Sequence, residues 1–281
     1  MSTAHPYAGK SAVLATLHKK GNLIAPEFAK ILKMSVEEVA LDTDSLGTFS
    51  GEIERIGSAK EIALKKARLG MSATGAVRGL ASEGSIGADF YIPFIQSDVE
   101  LIAFVDDEIG IEVVESYRST EIIARTISID SPVDLTDFLK LADFPRHKLI
   151  VRSTEKPISF CKKEIDSEES LYAVISEGLQ QTSSLTIESD LRAHCSPSRA
   201  KNIAKTAEKL ALRLSQLCLE CSSPGWGIVG FEKGLPCADC GEVAEEALKS
   251  EILGCARCSC TQKGKVLAEA IDPSRCNLCN P

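Results

Sequence analysis

Eight of the chain's eleven cysteines fall into four CxxC pairs: Cys218/Cys221, Cys237/Cys240, Cys255/Cys258 and Cys276/Cys279. A CxxC knuckle offers two thiolates from one tight turn, and structural zinc takes four soft ligands in a tetrahedron. Two knuckles make one four-thiolate site, so four make two. Gly241, directly after Cys240, suits a turn that favours positive φ. A thioredoxin-like redox motif needs one CxxC before a helix, not four at near-even spacing. The pattern therefore points to two structural zinc sites rather than disulfides.

The gaps between consecutive pairs are 15, 14 and 17 residues. They leave room for a hairpin between knuckles, as in zinc ribbons. Sequential, nested and cross-brace pairings all fit these gaps. The stretch Cys237 to Cys258 most resembles a single ribbon, in which case the outer pairs close the second site. Cys260 is expected to be spare, and Cys161 and Cys195 to be small buried residues. From Gln216 onward there are six Lys/Arg and nine Asp/Glu, net −3, and each four-thiolate centre adds about −2. So acidic a module suits structure or a protein partner, and it argues against nucleic acid, which calls for a basic field.

Upstream, the densest polar segment is Glu188–Arg199, ESDLRAHCSPSR. It links a strand to a long helix, and helix N-termini after strands attract anions. Asp190, Arg192, His194 and Arg199 supply a carboxylate, two cationic donors and an imidazole. A second set is Glu61, Lys65 and Lys66 on a helix and Glu83 in the segment SEGSIG. Glu61 and Glu83 could jointly hold Mg²⁺, which favours oxygen ligands and accompanies phosphates. No Walker loop, GxSxG elbow or HExxH is present.

The elements that must carry these residues alternate. Strands are expected at Ser11–Thr16, Val36–Leu41 and Val77–Ala81, the last running into a loop Ser82–Gly87. Helices are expected at Pro26–Leu32 and Ala59–Met71, the second opened by a capping box of Ser58 and Glu61. A hairpin Val99–Val105/Ile109–Tyr117 follows, then a strand Ala124–Ile129, a helix Val133–Leu141 and a strand Lys148–Arg152. A helix Glu168–Leu179, a strand Ser184–Glu188 and a helix Arg199–Leu217 end this part. The order predicts an α/β domain with a mixed sheet over 1–215 and a zinc-ribbon module over 216–281.

The whole chain resembles a bacterial family classed as a domain of unknown function. The resemblance rests on DTDSLGTFSGEIER, LASEGSIG, ESDLRAH followed by PSR, and a cysteine-rich tail ending CNLCNP. The first 90 or so residues also resemble the inosine triphosphate pyrophosphatase superfamily, Mg²⁺-dependent hydrolases of non-canonical nucleoside triphosphates. That family opens with T-x-N-x-x-K, and VLATLHKKGN begins similarly, with Thr16 and His18 at ligand-binding positions and Gly21 in place of the Lys. Its helical F-x-E-N-A-x-x-K-A is matched by AKEIALKKA at Glu61, Ala63, Lys66 and Ala67, with Ile62 in place of Asn. Its A-D-D-S-G is matched by ASEGS, with Glu83 on the second acidic position and Ser82 on the first. The resemblance implies an inosine-triphosphate-pyrophosphatase-like fold, metal on Glu61 and Glu83, and phosphate on Lys66. The family's late Ser-His-Arg has an echo in His194 and Arg199.

At 281 residues and 44% apolar the chain can fill a large domain plus a small one, and its net charge is −8. No run approaches the ~18 apolar residues of a membrane span. Met1–Lys10 shows no signal-peptide pattern, so a cytoplasmic protein is expected. The function expected is a zinc protein whose α/β domain hydrolyses a nucleotide or other phosphorylated metabolite with Mg²⁺. Arg192 would help to neutralise phosphate, and His194 would move a proton. The alternatives are a non-catalytic nucleotide sensor, or a scaffold that binds protein through its zinc ribbons.

Overall fold

The computed structural model describes residues 4–17, 19–41 and 57–281. His18 and the segment DTDSLGTFSGEIER lie outside the described residues.

The chain builds three sheets. In the first, β1 (Ser11–Ala15) lies parallel between β2 (Ser35–Val39) and β3 (Arg78–Ala88), and β4 (Gln96–Asp106) and β5 (Ile111–Ser119) follow antiparallel. Because alternate side chains face opposite ways, Leu14, Leu80 and Phe104 line one face, and Val13, Ala81 and Val105 line the other. Helices α1 (Gly21–Leu32) and α5 (Pro197–Ser215) cover the first face, and α2 (Ala59–Thr74) covers the second. Helix α1 buries Gly21, Ile24, Phe28 and Leu32, a stripe at helical spacing. It thus begins five residues before the expected Pro26. Helix α2 opens with the expected capping box: Ser58 Oγ accepts from Glu61 N–H, and Glu61 Oε2 accepts from Ser58 N–H at 2.8 Å.

A second, antiparallel sheet has the order β6-β9-β7-β8, with β6 Thr126–Ile129, β7 Leu149–Ser153, β8 Cys161–Ile165 and β9 Leu185–Ser189. Its own core joins Leu149, Val151, Leu185 and Ile187 to Leu135 and Leu139 around α3 (Thr136–Leu141) and to Leu171 and Ile175 of α4 (Glu168–Gln181). The single mixed sheet expected over this region is therefore two sheets. β8 is a strand the sequence did not announce, because its pattern is four exposed residues and one buried. Cys161 starts that edge strand and is exposed, contrary to expectation.

The segment SEGSIG is not a loop. It continues β3 in unbroken register with β4, from Arg78↔Asp106 to Ala88↔Gln96. Its small residues serve a crossing: a Cβ at Gly84 would collide with the Glu100 carboxylate and stand 2.5 Å from a guanidinium nitrogen of Arg199. The tail is an antiparallel sheet of β10 (Gly227–Pro236), β11 (Val243–Gly254) and β12 (Thr261–Val266).

Candidate metal centres and a buried charge cluster

The eight knuckle cysteines form two four-sulfur groups: Cys218, Cys221, Cys255 and Cys258, and Cys237, Cys240, Cys276 and Cys279. In the first, Sγ atoms approach at 3.7 Å (Cys218–Cys258) and 3.5 Å (Cys221–Cys255). In the second they approach at 3.8 Å (Cys237–Cys279) and 3.6 Å (Cys240–Cys276). A tetrahedron with ~2.3 Å zinc–sulfur bonds has edges of about 3.8 Å. Two metal ions could therefore be held, and the spacing is consistent with zinc.

Pairing is interleaved, first knuckle with third and second with fourth. The single ribbon expected from Cys237 to Cys258 is corrected by the strand between its knuckles. β11 is 12 residues long, and at ~3.3 Å per residue its ends stand roughly 36 Å apart. Knuckles on either side of it cannot share one ion. β10 runs back antiparallel to β11, which brings the first knuckle to the end where the third emerges. The centres thus sit at opposite ends of one hairpin.

Backbone N–H groups bond the leading sulfur of several knuckles. Cys255 Sγ accepts from the N–H groups of Arg257 at 3.2 Å and Cys258 at 3.4 Å. The Cys221 backbone N–H lowers Cys218 to about 6, and that of Cys240 lowers Cys237 to about 7. Gly241 has φ +76°, and Ser222 holds the equivalent place after the first knuckle at φ 57°. Cys260 belongs to neither group.

The first centre abuts the body. A Cβ on Gly225 would stand 2.8 Å from Val113 of β5, and Ala256 packs on the α1/α5 core. A cavity of about 260 Å³ lies at this join, lined among others by Tyr7, Arg78, Asp106, Pro224 and Arg257. The second centre has a small core of its own, Leu235 and Ile271 with Cys237 and Cys276.

A cluster of charges is buried in the first sheet. Beyond Leu80 the edge of β3 is no longer paired to β1, and Lys20, just ahead of α1, fills that place. Its ammonium donates to Ser82 Oγ at 3.2 Å and to Ser82 O at 3.3 Å. On the α2 face, Lys66 pairs with Glu83 at 2.6 Å. On the α5 face, Arg199 pairs with Glu100 at 2.6 Å and donates to Leu191 O, and Asn202 donates to Asp98 at 2.8 Å. The charged side chains and Asn202 are all buried, and Ser82 is half-buried; Lys20 and Lys66 are each 6% exposed. Burial lowers Lys20 to about 8, against the attraction of Glu100 and Glu83. Burial, then the charge of Glu100, raises Asp98 to about 7. Buried groups perturbed in this way mark candidate functional sites.

Of the residues singled out from sequence, Lys66, Glu83 and Arg199 lie in this cluster. Thr16 is buried at the end of β1, its N–H bonded to Val39 O at 3.2 Å. Glu61 is elsewhere: its carboxylate is exposed and taken up by the α2 cap. Joint Mg²⁺ binding by Glu61 and Glu83 is therefore unsupported, since one acid is a cap and the other is neutralised by Lys66. His194, Asp190 and Arg192 form a separate group. Arg192 forks onto buried Asp190 at 2.9 and 2.5 Å and reaches Glu164 at 3.1 Å, and His194 Nε2 meets Glu164 at 3.0 Å. Burial raises Asp190, but Arg192 outweighs it and holds the carboxyl low. Cys195 lies beside Glu164 and His194, its thiol pushed up to about 12 by burial.

Sequence reasoning missed Lys20, Asp98, Glu100 and Asn202. Lys20 stands one residue before the position the resemblance pointed to. Asp98 and Glu100 had a signal: two acids at i,i+2 in an apolar strand share one face.

The profile of the family described as Domain of unknown function (DUF6671) matches residues 66–281, well over half of the chain. The chain belongs to that family. No curated protein is similar to it. Among the described residues no helix is long and apolar enough to cross a membrane.

Proposed function

We propose that this member of a family of unknown function carries two zinc ions and binds a small phosphorylated ligand, a nucleotide or related metabolite, beside Lys20. The observation that carries the second half is Lys20 itself. It is a buried ammonium just ahead of α1, whose first N–H, on Gly21, is taken by the Glu38 carboxylate at 2.7 Å. Among the described residues its hydrogen-bond partners are both atoms of the uncharged Ser82, whereas Lys66 and Arg199 each have a carboxylate. Glu100 and Glu83 attract Lys20, and an anion beside the ammonium would add a counter-charge bonded to it directly.

The test is calorimetric titration of the zinc-loaded protein with pyrophosphate and with nucleoside mono-, di- and triphosphates. Lys20→Met should weaken binding at least about tenfold, the ~1.4 kcal/mol scale of one charged hydrogen bond. Equal affinity in that variant would remove Lys20 from the site.

A Mg²⁺-dependent hydrolase is the second reading. It is favoured by Asp98 and Glu100, neighbouring buried carboxyls on one face of β4 whose Oδ1 and Oε2 have no partner beyond each other among the described residues. Hard cations take such oxygens, so these acids replace Glu61 as metal candidates. Release of phosphate or pyrophosphate with Mg²⁺, lost in Glu100→Gln, would establish it.

We further propose the division of the chain into a ligand-binding part over 1–215 and a metal module over 216–281, following the end of α5 at Ser215. The tail exposes Phe231, Val243, Leu248 and Val266 and carries net negative charge. It fits a protein partner better than nucleic acid. Eight reduced thiols suit a cytoplasmic setting.

A further inference from the structure

His147, in the turn before β7, joins two groups that no ligand or metal assignment uses. Its Nδ1 lies 3.0 Å from Asp143 Oδ2, and its Nε2 lies 3.0 Å from Oγ of Ser198, the second residue of α5. Two backbone donors settle where the protons are. The N–H of Ser198 donates to the same Nε2 at 3.1 Å, which requires a bare lone pair there. The ring proton is therefore on Nδ1 and is donated to Asp143. The N–H of Ile123 donates to Ser198 Oγ at 3.2 Å, so the hydroxyl turns its own proton elsewhere. Nε2 is the nearer acceptor, and Ser196 Oγ, at 3.4 Å, is the longer one.

Carboxylate, imidazole and hydroxyl thus stand in the order of a nucleophilic triad, with the N–H and the hydroxyl of Ser198 both directed at the Nε2 lone pair. His147 is 2% exposed, and its burial lowers the imidazole pKa against the pull of Asp143, which keeps the base neutral. Ser198 is half-buried, so the hydroxyl end of the pair is the side open to an incoming group and, later, to water.

We propose that Ser198 is a nucleophile for acyl transfer from small activated esters, with His147 as its base and Asp143 as a positioning residue. Oγ would bond to the acyl carbon while its proton passes to His147 Nε2. The ester C–O bond then breaks, and the leaving oxygen takes that proton. Water, deprotonated by the same imidazole, would release the acid and restore the hydroxyl. The assignment is independent of the phosphorylated ligand, since Lys20 lies at the first sheet and His147 at the second.

The test uses the full zinc-loaded chain, an alkyl fluorophosphonate and intact-mass spectrometry. One adduct per chain on Ser198 is expected, together with p-nitrophenyl acetate turnover. Ser198→Ala should abolish both, and His147→Gln should slow labelling on the order of 100-fold, in variants that keep their zinc content and thermal melt. Asp143→Asn should slow labelling yet leave the adduct on Ser198. No adduct on the intact wild-type chain would overturn the proposal, as would an adduct on another residue or equal labelling of His147→Gln. Should His147→Gln unfold, Ser198→Ala and Asp143→Asn still decide.

Discussion

Replacing Cys221 and Cys255 together by alanine removes two ligands from one proposed zinc centre and none from the other. Under interleaved pairing the protein should keep one zinc ion per chain. Replacing Cys221 and Cys237 takes ligands from both centres and should leave none. Sequential pairing predicts the reverse for the two variants, and nested pairing predicts no zinc in either. The cost can be worked from the chain. The first centre ties Cys218 to Cys258, 40 residues apart, and closing a loop of that size is worth about 4 kcal/mol on the chain-entropy model. The same centre holds Gly225 and Ala256 against β5 and α5, so its loss should also loosen the tail from the body. Loss of the second centre, with its separate small core, should leave the body's unfolding midpoint unchanged. Zinc would be counted by mass spectrometry after gel filtration with a weak chelator, alongside urea unfolding. A Cys221→Ala/Cys255→Ala protein devoid of zinc would refute the interleaved geometry.

Other consequences can be read from the buried charges. Arg199→Met strands Glu100 without its cation, which should cost about 3–5 kcal/mol in urea unfolding, and adding Glu100→Leu should restore much of it; a cost below about 1 kcal/mol would contradict the burial of the pair. Asp98, raised from 3.8 to about 7, binds its proton more tightly folded than unfolded. Its contribution is complete below about 4 and is lost as pH rises through 7, so Asp98→Asn should flatten the fall in stability between those values. Lys20, lowered to about 8, loses its charge as pH rises through 8, and affinity for a phosphorylated ligand should fall there in wild type but not in Lys20→Met. Glu61→Ala should cost about 1 kcal/mol through the cap and leave ligand affinity unaltered; a drop in affinity would return Glu61 to the site.

Local chemistry was readable from the sequence, and long-range pairing was not. Ser58 and Glu61 announce a capping box because both partners lie within one turn. The four knuckles announce metal because two ligands share each turn. Which knuckles share an ion depends on the length of β11, and the segment from Val243 to Gly254 does not alternate cleanly enough to declare 12 residues of strand. SEGSIG reads as a loop because glycine and serine are poor strand formers. It is a strand because it stays paired with β4 throughout, and position 84 is glycine because Arg199 and Glu100, 99 residues apart, cross above it and leave no room for a side chain. Glu61 was misassigned for a related reason: a matched motif position says which residue is acidic, not that its carboxylate is already bonded to Ser58.

Helix α5 shows what the buried charges do for the fold. Its apolar side, Ile203, Ala207, Leu210, Ala211 and Leu214, repeats every three or four residues, so hydrophobic burial alone would tolerate a slide of one turn along the sheet. The polar pairs would not. Arg199 and Asn202, three apart on the helix, share a face and meet Glu100 and Asp98, two apart on β4 and on one face of the strand. At the other end Arg213 meets Glu115 of β5 at 2.9 Å. A slide of about 5.4 Å, one turn, would break all three contacts together and leave buried charges unpaired. Ser198 and Arg199 are neighbours turned about 100° apart on the helix, which is how one end of α5 reaches His147 beside the second sheet and Glu100 in the first. The register that places Arg199 on Glu100 therefore also places Ser198 on His147, and the Arg199→Met/Glu100→Leu protein should regain stability while its fluorophosphonate labelling slows. Wild-type labelling in that double variant would show that the His147–Ser198 contact is held by the loops alone.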